Sequence, residues 1–285
     1  MRAKLRCNGS RTISTPGALE TFAFEPARCL APLPRAPQWC DGSAFLNHVR
    51  LMARAFDTAQ LPDLETTPLV YQGASDDLLG PCVDVPFVSE EDGIDFEGEF
   101  GVIVDEVAMA ATPADAAGCI RLLVQINDWS LRKVGAREMR TGFGFLQAKP
   151  STSFAPIAVT PDELGSAWHE GRVAMNLNIA LNGKRVGSAS GAAMAFSFAD
   201  IIGHCARTRR LKAGTIIGSG TVSNEDRSAG SSCLAEVRVL EKIETGRVIT
   251  PFLKFGDRVE MEACFAEGRK GPFGCIDQRV VAASC

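Results

Sequence analysis

Apolar positions along this chain recur mostly at every second residue, the period of a half-buried strand. Ile120, Leu122, Val124 and Ile126 alternate with Arg121, Leu123 and Gln125, which predicts a strand with one wholly apolar face. Met175, Leu177, Ile179 and Leu181 alternate up to Asn182-Gly183, a strong hairpin signal because both residues tolerate a left-handed backbone. The run from Ile94 to Val104 reads as another strand, with Asp95, Glu97 and Glu99 aimed one way and Phe96 the other. Helical spacing is confined to short stretches. Val49, Leu51, Met52 and Phe56 predict a helix from Asn47 to about Ala59. Thr112-Pro113 opens a short helix, and Ser197 with Asp200 caps one running to about Arg207. Pro26, Pro32, Pro34 and Pro37 keep the first part of the chain extended. From Thr215 onward the chain reads as strands, with turns at Gly246, Gly256-Asp257 and Gly271-Pro272. Strands outnumber helices without alternating with them, so the expected class is α+β, with a short N-terminal segment over 1–40 and one larger domain over 41–285.

Several carboxylates interrupt this pattern. Glu97, Gly98 and Glu99 would place two like charges on one strand face, where each raises the other's pKa unless a cation neutralises both. A hard divalent metal held by oxygen ligands explains such a pair, although a lone Glu-x-Glu also fits a solvated edge strand. Asp128 continues the apolar face of the strand before it, where a carboxylate is costly unless paired or metal-bound; alone, it also fits a strand-end cap or turn. Arg132, four residues on, could answer that charge. Asp41 and His48 form an early acid and histidine pair.

Together these motifs resemble the fumarylacetoacetate hydrolase family. The family's Glu-x-Glu strand reads here as Glu97-Gly98-Glu99, its Asn-Asp-x-Ser-x-Arg as Asn127-Asp128-Trp129-Ser130-Leu131-Arg132, its lysine as Lys149 and its Gly-Thr loop as Gly220-Thr221. The match runs from about Ala31 to the C-terminus. The resemblance implies a rolled, mixed β-sheet structure, usually a homodimer, with a metal at one mouth. It implies metal ligands at Glu97, Glu99 and Asp128, with Asp41 as a fourth because it stands seven residues before the implied catalytic His48. The expected cofactor is Mg²⁺, with Mn²⁺ or Ca²⁺ as alternatives. Arg132 and Lys149 would hold substrate oxygens and developing negative charge, while Tyr71, Gly220 and Thr221 would contact the substrate. The implied reaction is metal-assisted cleavage of a carbon–carbon bond in a small β-diketo acid, with His48 taking a proton from water. A decarboxylase or hydratase on the same scaffold, and a metal-stabilised protein without catalysis, remain as alternatives.

The chain also departs from the fumarylacetoacetase pattern. Gly135 stands for a glutamine, Ser43 for a tyrosine and Asp57 for an arginine, with Arg50 and Arg54 nearby. Glu236 matches the glutamate that partners the histidine only to within about one residue. Decarboxylase-like relatives carry His-x-x-Glu, where this chain has His48 and Leu51, which leans towards hydrolysis.

Net charge is −4 with no basic stripe, which argues against nucleic acid; Arg207, Arg209, Arg210 and Lys212 suit a helix C-terminus. No apolar run approaches the roughly 20 residues of a membrane span. Arg2, Lys4, Arg6 and Arg11 give a faint presequence composition, but Asn8-Gly9 reads as a hairpin turn. Ten scattered cysteines without Cys-x-x-Cys are neither a disulfide framework nor a zinc set, and point to a reducing cytoplasm. Nucleotide-binding glycine motifs and the Gly-x-Ser-x-Gly elbow are absent. Of the other histidines, His169 is expected at the surface and His204 in the core or on a helix surface.

Overall fold

Two sheets pack against each other and five helices flank them in the computed structural model, which describes residues 22–59 and 61–284. The larger sheet runs in the order Val70–Gly73, Trp39–Gly42, Ile216–Gly218, Gly98–Val104, Ile120–Asn127, Ser153–Phe154. Only Trp39–Gly42 and Ile216–Gly218 are parallel in it. The second sheet has the order Lys184–Ser190, Asn176–Leu181, Arg258–Cys264, Lys270–Ala282, Val85–Phe87, with its last pair parallel. The class is α+β, as expected.

The strand Ile120–Asn127 shows why both sides of the larger sheet are buried. Leu123 and Gln125 face the second sheet, where the Gln125 amide donates to Met261 O at 2.9 Å and accepts from Ala263 N at 2.7 Å. Both hydrogen-bonding ends of that buried amide are therefore satisfied, which removes the penalty of enclosing it. Val124 and Ile126 face the other way and pack with Trp39, Ile103, Phe154 and Ile216. Ala31 and Ala36 of the proline-rich segment join that cluster. Among the alternate positions only Arg121 reaches solvent.

Locally encoded elements form where expected. Asn182 and Gly183 both take positive φ, 51° and 75°, closing the hairpin between Asn176–Leu181 and Lys184–Ser190. Thr112 with Asp115 and Ser197 with Asp200 form capping boxes for Pro113–Ala117 and Phe198–Ala206. The first long helix spans Leu46–Phe56.

Three expectations of secondary structure fail, and one helix was not expected at all. The strand from Ile94 breaks after Asp95 and resumes at Gly98. The region after Thr215 is not all strand, because Leu234–Thr245 is an α-helix. Its Val237-Arg238-Val239 stretch mimics strand alternation, and its Cys233 N-cap supplies no side-chain bond. A second helix, Arg132–Thr141, was invisible to the pattern because it is polar and also lacks a side-chain cap. Finally, Gly271-Pro272 lies inside Lys270–Ala282, and the chain turns before it, at a Gly268 with φ 86°. The basic N-terminal residues and Asn8-Gly9 lie outside the described residues.

Candidate active site

Asp41, Glu99 and Asp128 converge from separate parts of the larger sheet, each offering an oxygen within 4.8 Å of the others. Asp41 and Glu99 lie on strands separated by Ile216–Gly218, whose Gly218 pairs with Asp41 on one side and Gly101 on the other. A Cβ at Gly218 would sit 2.2 Å from Asp41 Oδ1, so a bare backbone there is what lets the carboxylates meet across the strand. Gly98 has the complementary reason: a Cβ there would lie 2.5 Å from Ile179 Cδ1 of the second sheet. Asp128 is placed by its own N–H on Glu97 O at 2.9 Å, while Asn127 Oδ1 accepts the Glu97 N–H at 3.1 Å.

The three carboxylates are 0–2 % exposed, and neither oxygen of Glu99 has a hydrogen-bond partner. Burial, then repulsion from Asp128, pushes Asp41 well above the usual carboxylate range, and burial with Asp41 and Asp128 does the same to Glu99. Orphaned, crowded and buried oxygens are what a hard divalent cation would satisfy, so these residues fit such an ion.

Glu97 is differently placed. Its carboxylate is engaged by Lys149 and by Arg132 Nη2 at 2.6 Å, and it stands outside the close group of three. Against the upward push of burial, Arg132, Lys149 and His48 hold it well below the usual range. Lys149 also reaches Asp128 at 2.5 Å; burial favours its neutral form, but Asp128 and Glu97 outweigh that and keep it charged. Arg132 therefore does not answer Asp128. It bridges Glu97 and Asp95, the latter at 2.8 Å, while Asp128 is met by Lys149, the Tyr71 hydroxyl and the Thr152 hydroxyl.

Asp95 does not share the face of Glu97 and Glu99, because it turns to the start of Leu234–Thr245. It accepts the N–H groups of Leu234 at 2.8 Å and Ala235 at 2.9 Å, where a helix leaves donors unpaired and favours negative charge. One turn of that helix presents Glu236, whose Oε1 lies 2.8 Å from His48 Nδ1. The other imidazole nitrogen stands 3.9 Å from Glu97 Oε1 and faces the cavity. The histidine's acidic partner thus comes from a distant helix, and Leu51 beside it is simply buried.

Gly220 and Thr221 also border the cavity, which has a volume of about 410 Å³. Gly220 N–H donates to Asp41 Oδ1 at 3.1 Å, and the buried Thr221 hydroxyl has no partner. Tyr71 packs edge-on against Phe145 with centroids 5.2 Å apart. Ser43 and Gly135 line the space, but Arg50 and Arg54 do not. Arg50 pairs with Glu65 and Glu225 at the surface, and Asp57 ends its helix in a left-handed turn at φ 52°. Sequence reasoning missed Glu138, which accepts the N–H groups of Leu146, Gln147 and Ala148 at 2.9–3.1 Å and so holds the approach to Lys149. It also missed Thr152. His169 is exposed, as expected, and His204 lies exposed on its helix.

The family model for the fumarylacetoacetate hydrolase C-terminal domain matches residues 38–281. Among curated relatives, a fumarylacetoacetase from Caenorhabditis elegans is 24 % identical over 83 % of this chain and 67 % of its own length. A 2,4-didehydro-3-deoxy-L-rhamnonate hydrolase from Sphingomonas sp. is 27 % identical over 55 % of this chain, which spans 54 % of that relative. The fold is shared with a 5-carboxymethyl-2-hydroxymuconate delta-isomerase from Mycobacterium smegmatis, with TM-score 0.62, 17 % identity and coverage of 90 % and 83 % of the two chains. It is shared too with a candidate fumarylpyruvate hydrolase from Burkholderia cenocepacia, with TM-score 0.60, 16 % identity and coverage of 97 % and 99 %. With the matched domain spanning nearly all of the described residues, the chain belongs to the fumarylacetoacetate hydrolase family.

Proposed function

We propose that this protein is a divalent-metal-dependent hydrolase that cleaves a carbon–carbon bond in a β-diketo acid such as an acylpyruvate or fumarylacetoacetate. The observation that carries the reading is that His48, paired with the buried Glu236, lines the same cavity as Asp41 and Glu99, the two carboxylates that group with Asp128. Asp41, Glu99 and Asp128 would hold the cation, with Glu97, engaged by Lys149 and Arg132, as a fourth carboxylate beside them; Mg²⁺ is the first candidate. Four carboxylates around one dication leave two negative charges unbalanced, which Lys149 and Arg132 offset. Such an ion, when bound, supplies Lewis-acid polarisation of substrate oxygens.

His48 takes a proton from water through the nitrogen facing the cavity, while Glu236 fixes the ring and stabilises the imidazolium. The hydroxide attacks the acyl carbonyl, and the bond from that carbon to the neighbouring methylene breaks. The electron pair leaves as an enolate, which is protonated to a 2-oxo acid from an acylpyruvate or to a 3-oxo acid from fumarylacetoacetate, and the acyl carbon leaves as a carboxylic acid. Lys149 and Arg132 balance the oxyanion charge, and the free Thr221 hydroxyl donates to a substrate carboxylate oxygen. Eight unpaired cysteines among the described residues support a reducing compartment such as the cytoplasm.

The test is a side-by-side assay of acylpyruvates, fumarylacetoacetate and oxaloacetate with Mg²⁺ or Mn²⁺, repeated with His48→Ala. Hydrolysis of a diketo acid that falls roughly 10²–10⁴-fold in the variant, with metal retained, is the expected result. Decarboxylation of oxaloacetate without any diketo-acid hydrolysis would overturn the reading.

A further inference from the structure

The cavity changes character from floor to mouth. Its floor is charged, with Asp41, Glu97 and Glu99 at 0–4 % exposure. The remaining wall is built largely of Met52, Phe56, Leu64, Leu69, Met139 and Phe145. Leu61 and Met139 remain 50 % and 38 % exposed there, so apolar surface next to the charged floor stays wetted until something covers it. Two cationic side chains line the cavity among the described residues, Arg132 and Lys149, and each already lies between two carboxylates. Among the described residues no third arginine or lysine lines the cavity to receive a second carboxylate, and nearby Arg50 is paired with Glu65 and Glu225 at the surface. Ser43 and Gly135 contribute little bulk, and a Cβ at Gly135 would meet nothing nearer than 3.5 Å.

We infer that the acyl group of the substrate is apolar, an alkyl or aryl ketone arm of several carbons, and that dicarboxylate acyl groups of the fumaryl kind are discriminated against. This rests on the hydrolase reading for its chemistry, but the preference itself follows from the wall. Each methylene moved from water onto such a surface strengthens binding about fourfold. A carboxylate carried to the same place loses water without gaining a cation, a penalty on the order of 100-fold or more.

Two measurements on the Mg²⁺-loaded wild-type protein separate the inference from the reading beneath it. In the first, kcat/KM is compared for acetyl-, butanoyl-, hexanoyl-, benzoyl- and fumarylpyruvate. It should climb by about fourfold per methylene along the alkyl series and be about 100-fold lower for fumarylpyruvate than for hexanoylpyruvate. In the second, calorimetry compares 2-oxooctanoate with 2-oxosuberate, which share a chelating head and a tail of the same length and differ only in the terminal carboxylate. The apolar tail should bind about 100-fold more tightly. If no acylpyruvate is hydrolysed, the hydrolase reading falls, and the calorimetric ratio still decides the inference. Fumarylpyruvate turned over as well as hexanoylpyruvate, or equal binding of the two oxo acids, overturns the inference and leaves the hydrolase reading standing. Met52→Arg, which places a cation in the wall, should shift the ratio towards the dicarboxylates at least tenfold; Met52→Leu, folded and apolar, should leave it unchanged.

Discussion

Glu99→Gln should stabilise the metal-free protein and abolish its response to metal. Glu99 is fully buried, its two oxygens lack partners, and it shares a 4.8 Å neighbourhood with Asp41 and Asp128. At that separation, with an effective dielectric of about 20, two ionised carboxylates would repel by about 3 kcal/mol, a cost the metal-free site limits by favouring the protonated forms of Asp41 and Glu99, itself unfavourable at neutral pH. Lys149 sits on Asp128 and Glu97 and not on Glu99, so it relieves this only in part. An amide keeps the volume, removes the cost of either ionising or protonating Glu99 and can donate to the neighbouring oxygens. A net gain of about 2–3 kcal/mol is reasonable, or about 5 °C in melting temperature for a chain of this size. Wild-type protein should gain a similar amount from the cation, since binding at 100 times Kd adds about 2.7 kcal/mol to the folded state alone. The assay is thermal unfolding of both proteins in chelator and in saturating Mg²⁺ or Mn²⁺, with calorimetric titration for stoichiometry. Wild type should rise with metal, and the variant should begin higher and stay flat. A variant that melts below wild type in chelator and still rises with metal would refute both the repulsion and the ligand assignment.

Other substitutions test how the site is held. Glu236→Gln keeps the shape but loses a charge-assisted bond of about 1.5–3 kcal/mol to His48, so kcat should fall roughly 10- to 200-fold while the metal-induced rise in melting temperature persists; unchanged kcat would remove Glu236 from the site's chemistry. Asp95→Asn leaves Arg132 and two helix N–H groups with a poorer acceptor, and should destabilise by about 3–5 kcal/mol without erasing the metal response; loss of that response alone would return Asp95 to the ligand face. Glu138→Gln should cost about 1–2 kcal/mol by weakening three backbone bonds, measured by chemical unfolding. Although burial pulls the other way, the N–H groups of Gln147, Ala148 and Leu146 depress Glu138 in the folded state. Its contribution is therefore present above the ordinary value of 4.5 and is lost as pH falls through the depressed folded value, so the gap between wild type and variant should narrow below pH 4.5. A gap that widened in acid would contradict that assignment.

What the chain disclosed in advance was whatever a short spacing determines. Glu97 and Glu99 share the cavity because residues two apart on extended backbone point alike, and the intervening glycine faces the second sheet where no side chain fits. Capping boxes and the Asn182-Gly183 hairpin are likewise settled within four residues. The failures share the opposite property. Asp95 was assigned to the carboxylate face because its real partners, Leu234 and Ala235, lie 139 and 140 positions away. The helix those partners begin was read as strand for the same reason, since its N-terminal donors are met by Asp95 and not by a local cap.

These distant pairings are linked to each other in a way that bears on catalysis. Asp95 holds both Arg132 and the first turn of Leu234–Thr245, and that turn carries Glu236 to His48, 188 positions away in the chain. A single buried carboxylate thus sets where the oxyanion-balancing arginine and the histidine's partner stand relative to each other. Disturbing Asp95 should therefore lower kcat through two groups at once, and Asp95→Asn combined with Glu236→Gln should fall short of the product of their separate effects, because both act on the same imidazole. Fully multiplicative losses, measured as kcat with metal saturating, would mean that Asp95 acts through Arg132 alone and that Glu236 reaches His48 independently of it.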